Sequence, residues 1–491
     1  MTLTLDVSYW QLVAMIVDYV IKFVVIGIVP SNRRPSSANA WLLLILLLPI
    51  IGLPLYLLMG SDFFNRRRHR IQQRANAMIT DVHLDIPDIP PEAQLSPDKE
   101  AIVRLHRALT GFPAVDADVR RLWSDYELAF RRIVELVDAA EDYIGIEIYA
   151  LALDATTLPV FDALERAVSR GVHVRLLFDH IGSRKYPGYL RMTRRLNRSG
   201  IDWHLMLPLQ PWRGRFRRPD LRNHRKVIIV DGRAALMGSM NMIDRGYLMR
   251  NHRRAGRQWI DVLVELEGPI VTSLESMFAV DWYTESGEAI ELLAPRRLGV
   301  DKPGEHILQL IPSGPGYQAE PNLRMFNTLI HHARERLILC SPYFVPEDSL
   351  LEAVTTACYR GVRVDLLVGE KADQFMVTHA QSSYYEQLLR AGVHIWQFPA
   401  PYVLHTKFAI ADPGLSTNIA VVGSSNMDMR SFTLNYENSL FVADGSLLRE
   451  LETLGGTYMN VSRELTLEQW SRRPWYRRYI DNVMRLTSAL Q

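Results

Sequence analysis

His224 and Lys226 stand two apart in NHRKVIIVDGRAALMGSMN, and His405 and Lys407 stand two apart in LHTKFAIADPGLSTNIAVVGSSN. Both runs read H-x-K-x-x-x-x-D and continue into G-S-x-N, giving Ser239 and Asn241 in the first and Ser424 and Asn426 in the second. Alternate residues of a strand share a face, so His224 and Lys226 point the same way as Ile228 and Val230. Phosphodiester attack needs a nucleophile, a proton donor for the leaving alkoxide and cations around the phosphoryl oxygens. A histidine and a lysine supplied twice meet that need. One histidine attacks phosphorus while the other protonates the departing oxygen, with Lys226, Lys407, Asn241, Asn426, Ser239 and Ser424 around the phosphate.

Each histidine then needs a carboxylate on its second ring nitrogen to fix the tautomer. Asp261 in QWIDVLVELEGP and Glu437 in LNYENSLFVAD lie at similar places downstream of the two motifs. Asp231 and Asp412 complete the motifs and are grouped with the catalytic residues on that ground. Their parity, opposite to that of the histidines, points instead to capping a turn. No metal-ligand pattern is present and no cofactor is required; His331 and His332 are neighbours on a helix and diverge.

The elements that must position these residues repeat. EDYIGIEIYALALDATTLPVFDALERAVSRGVHVRLLFD in the first half answers RERLILCSPYFVPEDSLLEAVTTACYRGVRVDLLVG in the second. Each reads strand, loop, amphipathic helix, then Arg-Gly-Val-x-Val, with Gly171 and Gly361 where a helix gives way to a buried strand. This alternation predicts an α/β fold made of two tandem sandwich halves related by a pseudo-twofold duplication. The halves are expected over residues 106–295 and 296–491, divided near Leu292 to Gly304.

The chain ahead of them is membrane material. Trp41 to Met59 carries no charge and is long enough, at ~1.5 Å per residue, to cross a hydrocarbon core of roughly 30 Å. It is expected to span as a helix kinked at Pro49 and Pro54. Tyr9 to Val29 is apolar apart from Asp18 and Lys22, which cost ~3 kcal/mol each at a bilayer centre but pair at a four-residue spacing. A first span is expected there, with an interfacial helix as the alternative, so residues 1–60 form a transmembrane helical hairpin. Residues 61–105 are read as a basic flank and a Pro-rich linker.

Arg66, Arg67, Arg68, Arg70 and Arg74 outweigh Arg33 and Arg34, which places the catalytic part in the cytoplasm, although the loop arginines argue mildly the other way. Lys+Arg of 56 against Asp+Glu of 54 leaves a net charge of +2, so overall charge identifies no partner. Two cysteines, Cys340 and Cys358, exclude a disulfide scaffold. The arginines from Arg213 to Arg225, beside Trp212 and Phe216, read equally as a solvated loop or as a recruiter of anionic headgroups. Trp470, Trp475 and Arg472 to Arg478 form a basic-aromatic segment suited to a membrane interface.

The paired motifs resemble those of the phospholipase D superfamily. Within it, RRPSSANAWLLLILLLPIIG, LTGFPAV, FAVDW, PSGPG, SPYFVPEDSLLEA and MDMRSFTLNYENS bring the chain close to the bacterial cardiolipin synthases. The resemblance implies a phosphatidyltransferase of the inner membrane, multi-pass, acting on phosphatidylglycerol and other anionic phospholipids. By analogy His224 attacks phosphatidylglycerol, releases glycerol and carries a phosphatidyl group. His405 acts first as acid and then as base for a second phosphatidylglycerol, giving cardiolipin. Which histidine is the nucleophile stays open between near-symmetric motifs. The rival readings are a hydrolase making phosphatidic acid, a membrane-anchored nuclease and an inactive lipid-binding scaffold. The lipid-embedded anchor and the lack of a nucleic-acid module argue against a nucleic-acid partner.

Overall fold

The computed structural model describes residues 9–31, 35–61, 71, 86–211, 215–290, 305–317, 319–371 and 374–486. The basic flank Arg66 to Arg74, the loop arginines Arg33 and Arg34, the Leu292 to Gly304 divide and part of the Arg213 to Arg225 run lie outside the described residues.

Among the described residues a sheet of sixteen strands runs through both halves. Fifteen of them lie in one path whose order is close to a palindrome, and the sixteenth, Arg222–Asn223, pairs off it with Asn435–Asp444. From the centre outward, the first half contributes Ala114–Trp123, Leu263–Glu267, Ala234–Gly238, Lys226–Val230, Tyr143–Ile148, His173–Asp179 and Asp202–Met206. The second half contributes His306–Ser313, Asn435–Asp444, Ile419–Gly423, Phe408–Ala411, Arg336–Cys340, Arg363–Gly369 and His394–Phe398, then Arg463–Leu465 at the edge. The two central strands pair antiparallel, from Ala114 opposite Gln309 to Ala117 opposite His306. Equivalent strands that pair antiparallel are related by a twofold axis, so the duplication becomes a pseudo-symmetric body joined through one ladder.

The repeated phrases fold alike. Tyr143–Ile148 and Arg336–Cys340 each pair parallel with the strand that follows the Arg-Gly-Val turn. Gly171 and Gly361 turn the chain at φ of 91° and 88°, a conformation that residues with a Cβ adopt only at a cost. Both sheet faces are covered. Val227 and Ile229 pack towards the Pro269–Ser286 helix, while Ile228 and Val230 pack with Phe130, Ile133 and Leu164 from the opposite layer. The alternation expected of the first motif strand is therefore present.

The duplication has diverged in its buried polar contacts. Arg225 follows His224 and pairs with Asp281, both fully buried. Thr406 follows His405 and shares a 3.1 Å hydrogen bond with Tyr458 instead. Both residues also reach across the axis: Arg225 Nε donates to the Glu437 carbonyl oxygen at 3.1 Å, and Thr406 Oγ1 to that of Ile260 at 3.1 Å.

One boundary differs from expectation. Ser96 caps a helix over Pro97–Thr110, so the 105/106 division cuts through it. That helix sits on the second half: Ile102 and Val103 join a core with Leu323, Phe326 and Phe441, and Lys99 donates to the Ala443 carbonyl at 2.8 Å.

The membrane segment differs more. Tyr9–Ile28 is an unbroken helix of 20 residues with a mean hydropathy of 2.0, long and apolar enough to cross a membrane, and Lys22 pairs with Asp18 at 2.7 Å. Trp41 to Met59 is not the single span expected. It breaks at Leu48, where φ and ψ of −133° and 67° leave the helical region ahead of Pro49. The helices Pro35–Leu47 and Pro49–Leu55, with a wider turn over Tyr56–Gly60, fold back on each other. Trp41 and Tyr56 rings meet at 5.6 Å, where a straight helix would part them by ~22 Å. Gly52 permits the fold: a Cβ there would lie 2.7 Å from the Leu44 carbonyl oxygen and 2.8 Å from the Ile45 backbone. Each arm is too short to cross ~30 Å of hydrocarbon. Hydropathy registers composition, not the reversal that one residue between two helices produces.

Candidate active site

Two short parallel ladders build the site, one on each side of the pseudo-twofold axis. Arg222–Asn223, leading into His224, pairs with Asn435 and Tyr436, leading into Glu437. Tyr402–Leu404, leading into His405, pairs with Gln258–Ile260, leading into Asp261. The His224 amide donates to the Tyr436 carbonyl at 2.8 Å and the His405 amide to the Ile260 carbonyl at 2.9 Å. Each ladder thus delivers a histidine from one half and a carboxylate from the other.

The carboxylates are exchanged between halves in consequence. His224 Nδ1 lies 3.0 and 3.1 Å from the Glu437 carboxylate oxygens and 3.1 Å from the Ser424 carbonyl oxygen. His405 Nδ1 lies 2.6 Å from Asp261 Oδ1. These neighbours are acceptors, so each Nδ1 carries the proton and each Nε2 keeps its lone pair. The rings face one another with centroids 6.4 Å apart, nearly perpendicular. The gap suits one phosphoryl group between two imidazole nitrogens.

Burial sets the charge state. It pushes the His224 ring down to about 4 against the opposing pull of Glu437, with Lys226 adding to the fall. His405 is also lowered by burial, opposed by Asp261. Burial raises the Glu437 carboxyl, yet His224 and Lys226 outweigh it and hold the group below the usual carboxylate range. Asp261 behaves likewise through His405 and Lys407. At neutral pH the unliganded site therefore holds two neutral imidazoles on two ionised carboxylates.

Lys226 Nζ donates to the His224 carbonyl at 2.5 Å, and Lys407 Nζ to the His405 carbonyl. That anchors each ammonium beside its histidine and leaves two further donors for an anion. Burial lowers both, Lys407 to about 8. An anion between the histidines offsets that desolvation.

The serines are a correction. Ser239 Oγ donates to Asp261 Oδ1 at 2.6 Å and accepts from the Val262 amide at 3.0 Å. Ser424 Oγ donates to Glu437 Oε2 at 2.5 Å and accepts from the Asn438 amide at 3.0 Å. With donor and acceptor both occupied, the hydroxyls support the carboxylates rather than a phosphate. The asparagines differ from each other. Asn241 accepts from the Ala150 amide at 3.1 Å and donates to Tyr247 Oη at 2.7 Å, whereas the Asn426 side-chain oxygen is buried with no hydrogen-bond partner.

Asp231 and Asp412 are not in the site. At φ of 52° and 53°, Asp231 takes the amides of Glu141, Asp142 and Tyr143, and Asp412 those of Arg334, Glu335 and Arg336. Each caps the start of a neighbouring strand, the turn-capping role that its parity indicates, so neither stands among the catalytic residues with which the motif groups it.

Residues without a counterpart in the repeat went unnoticed. The Tyr149 and His224 ring centroids lie 4.9 Å apart at a steep angle, and Lys226 Nζ sits over the Tyr149 ring. Buried Asp179 accepts from the Asn223 amide at 3.0 Å and pairs with Arg222, fixing the approach to His224. Tyr247, at φ of 53°, stacks on Trp259 at 4.3 Å and restrains Asn241. The one signal for Asp179 was its place at the end of VRLLFD, and the second half has Gly369 there.

The interleaved halves, with paired histidines and lysines, define a phospholipase D-like fold and site. The family described as cardiolipin synthase, phospholipase D-like domain, matches residues 133–282 and 326–454, and the phospholipase D-nuclease N-terminal family matches residues 19–61. Cardiolipin synthase A of Serratia proteamaculans (strain 568) is 33% identical over 98% of this chain and 97% of its own length. The namesake from Pectobacterium atrosepticum is 33% identical with the same coverage. The crystal structure of phosphatidylserine synthase from Haemophilus influenzae Rd KW20 superposes with a TM-score of 0.59 over 80% of this chain and all of that one, at 15% identity, a likeness of fold. The chain belongs to the cardiolipin synthase family of phospholipase D-like phosphatidyltransferases.

Proposed function

We propose that the protein joins two phosphatidylglycerol molecules into cardiolipin and glycerol through a phosphatidyl-histidine. The observation that carries this is the 6.4 Å facing of two neutral histidines, each backed by an ionised carboxylate from the opposite half. In this reading His224, neutral through burial, is the nucleophile by analogy with the family, and His405 the acid. Its Nε2 forms a bond to phosphorus as the bond from phosphorus to the glycerol oxygen breaks. The phosphodiester anion favours protonation of His405, whose Nε2 passes that proton to the departing glycerol. His405 then takes a proton from the terminal hydroxyl of a second phosphatidylglycerol, whose oxygen displaces His224. Lys226 and Lys407 hold the anionic oxygens through both steps, with Asn426 a further contact for the phosphate. His224 and His405 are about nine-tenths or more buried, which favours a lipid alcohol over water as acceptor.

The same reading places the catalytic body on the cytoplasmic face of a bacterial inner membrane. A two-span hairpin would put Arg33 and Arg34 opposite Arg66 to Arg74. One crossing by Tyr9–Ile28 followed by a re-entrant fold over Pro35–Gly60 puts all of these arginines on one side, and the conflict in the positive-inside rule disappears.

The test is the lipid product of the purified protein in phosphatidylglycerol vesicles, with glycerol assayed alongside. Cardiolipin and glycerol should appear together and vanish in His224→Ala and His405→Ala. Phosphatidic acid as the main product would make the protein a hydrolase.

A further inference from the structure

The helix Trp475–Arg485 near the C-terminus is packed in an unusual sense. Its buried side carries a carboxylate: Asp481 is 2% exposed, 2.7 Å from His379 Nδ1 and 2.8 Å from the Arg473 guanidinium. Its outward side is apolar. At ~100° per residue, Trp475, Tyr476, Tyr479, Val483 and the following Leu486 fall within one arc of about 100°. All five are exposed, Trp475 at 75%, Tyr479 at 65% and Leu486 at 85%. Among the described residues nothing covers this outward aromatic stripe.

The surroundings specify the partner's chemistry. The helix has one acidic residue, and that one is buried in ion pairs, while Arg478 is exposed at the flank of the stripe and Arg477 is exposed further round the helix. Trp and Tyr concentrate at the level of lipid headgroups, and arginines beside them favour an anionic surface.

The helix is linked to the site's second half through its neighbours. It runs parallel to Phe375–Ala391, since His379 meets Asp481 and Tyr384 meets Arg485. That neighbour, whose first residue Phe375 is 66% exposed, also touches the second half beside the site: Gln381 Oε1 accepts from the Phe344 amide at 2.8 Å. Phe344 and Val345 pair in turn with Met427 and Asp428, which follow Asn426 directly.

We propose that this face is a second membrane contact, separate from the N-terminal anchor, which seats the catalytic body on an anionic lipid surface with the site's second half towards the headgroups. The inference rests on the lipid-substrate reading only for its turnover readout.

The test uses the full chain in lipid nanodiscs, with Cys358→Ser to remove the accessible thiol and Tyr479→Cys labelled with an environment-sensitive fluorophore. In discs containing phosphatidylglycerol the emission should shift to the blue and be quenched by lipids spin-labelled near the headgroup. Arg477→Glu with Arg478→Glu should reverse both effects. Water-like, unquenched emission in the anionic discs would overturn the proposal. So would a blue shift that grows with protein density without lipid quenching, which means a second copy covers the stripe. These readouts need no turnover, so they stand apart from any failure of the synthase reading. In addition, Trp475→Ser with Tyr479→Ser should lower the ratio of turnover on bilayer phosphatidylglycerol to turnover on a dispersed short-chain analogue. An unchanged ratio counts against the proposal.

Discussion

Replacing Glu437 by Gln keeps the shape of the group behind His224 and removes its charge. As Nε2 bonds to phosphorus the imidazole becomes cationic, and the carboxylate 3.0 Å from Nδ1 stabilises that charge. With charge centres ~4 Å apart and an effective dielectric of ~20, the attraction is about 4 kcal/mol. At ~1.4 kcal/mol per decade, Glu437→Gln should slow formation of the phosphatidyl-histidine by roughly a thousandfold. Single-turnover release of labelled glycerol from phosphatidylglycerol in mixed micelles measures that step. Asp261→Asn acts on the other ring. Asp261 raises His405, so its loss should move the alkaline limb of the kcat/KM profile to lower pH, where the acid must be protonated. The same limb should stay in place in Glu437→Gln. A rate within tenfold of wild type in Glu437→Gln would refute the electrostatic argument. An alkaline limb that moved in Glu437→Gln instead of Asp261→Asn would reverse the nucleophile assignment.

The other predictions separate roles that the motifs leave merged. Ser239→Ala and Ser424→Ala each remove one hydrogen bond to an ionised carboxylate, worth about 1.5 kcal/mol, so kcat should fall roughly tenfold with KM unchanged. A rise in KM alone would return the serines to the phosphate. Asp231→Ala or Asp412→Ala leaves three backbone amides without their acceptor and should lower the melting temperature by several degrees, while kcat per folded enzyme stays within twofold. His106, fully buried against Phe441, is held at about 4 by burial against an ordinary 6.5. The neutral ring is favoured in the folded state, so its stability contribution is complete above 6.5 and lost as pH falls towards 4. The loss is at most roughly 3 kcal/mol at ~1.36 kcal/mol per pH unit, and His106→Leu should flatten the melting curve across that window. Single cysteines ahead of Tyr9 and between Ile28 and Pro35 should label from opposite faces of sealed vesicles, and the second should label from the same face as the catalytic body. A loop that labelled from the other face would restore two full spans.

Local pattern was legible where the chemistry is local. The spacing in His224–Lys226 and His405–Lys407 fixes a shared face, and the DG turn fixes the opposite parity of Asp231, so both were readable from a few residues. Glu437 and Asp261 were readable as carboxylates in want of a histidine. Which histidine each serves depends on ladders between segments 213 and 144 positions apart, and no short-range pattern encodes that pairing. The serines failed for the same reason, since their role follows from what the carboxylates do. Tyr149 and Asp179 were invisible because the argument relied on repetition and neither is repeated. The Leu48 break lay in plain view as Leu48-Pro49, but a proline inside an apolar run reads equally as a kink and as a reversal. Gly52 decides between them only once its neighbours across the fold are known.

Exchange of carboxylates has a consequence for the architecture as a whole. If each half supplied its own acid, a single half would hold a complete histidine, lysine and carboxylate, and the duplication would give two independent sites. Because Glu437 reaches His224 and Asp261 reaches His405, neither half can fix the tautomer of its own histidine. The site exists only when the Ala114–Trp123 and His306–Ser313 strands are paired and the two parallel ladders are formed. The side chains after the histidines reinforce this, for Arg225 and Thr406 both bond to the backbone of the opposite half. One joined sheet thus holds a single gap with a histidine from each half at either end, each backed by the carboxylate of the other half, so loss of either carboxylate or of either ladder disables the one site rather than one of two.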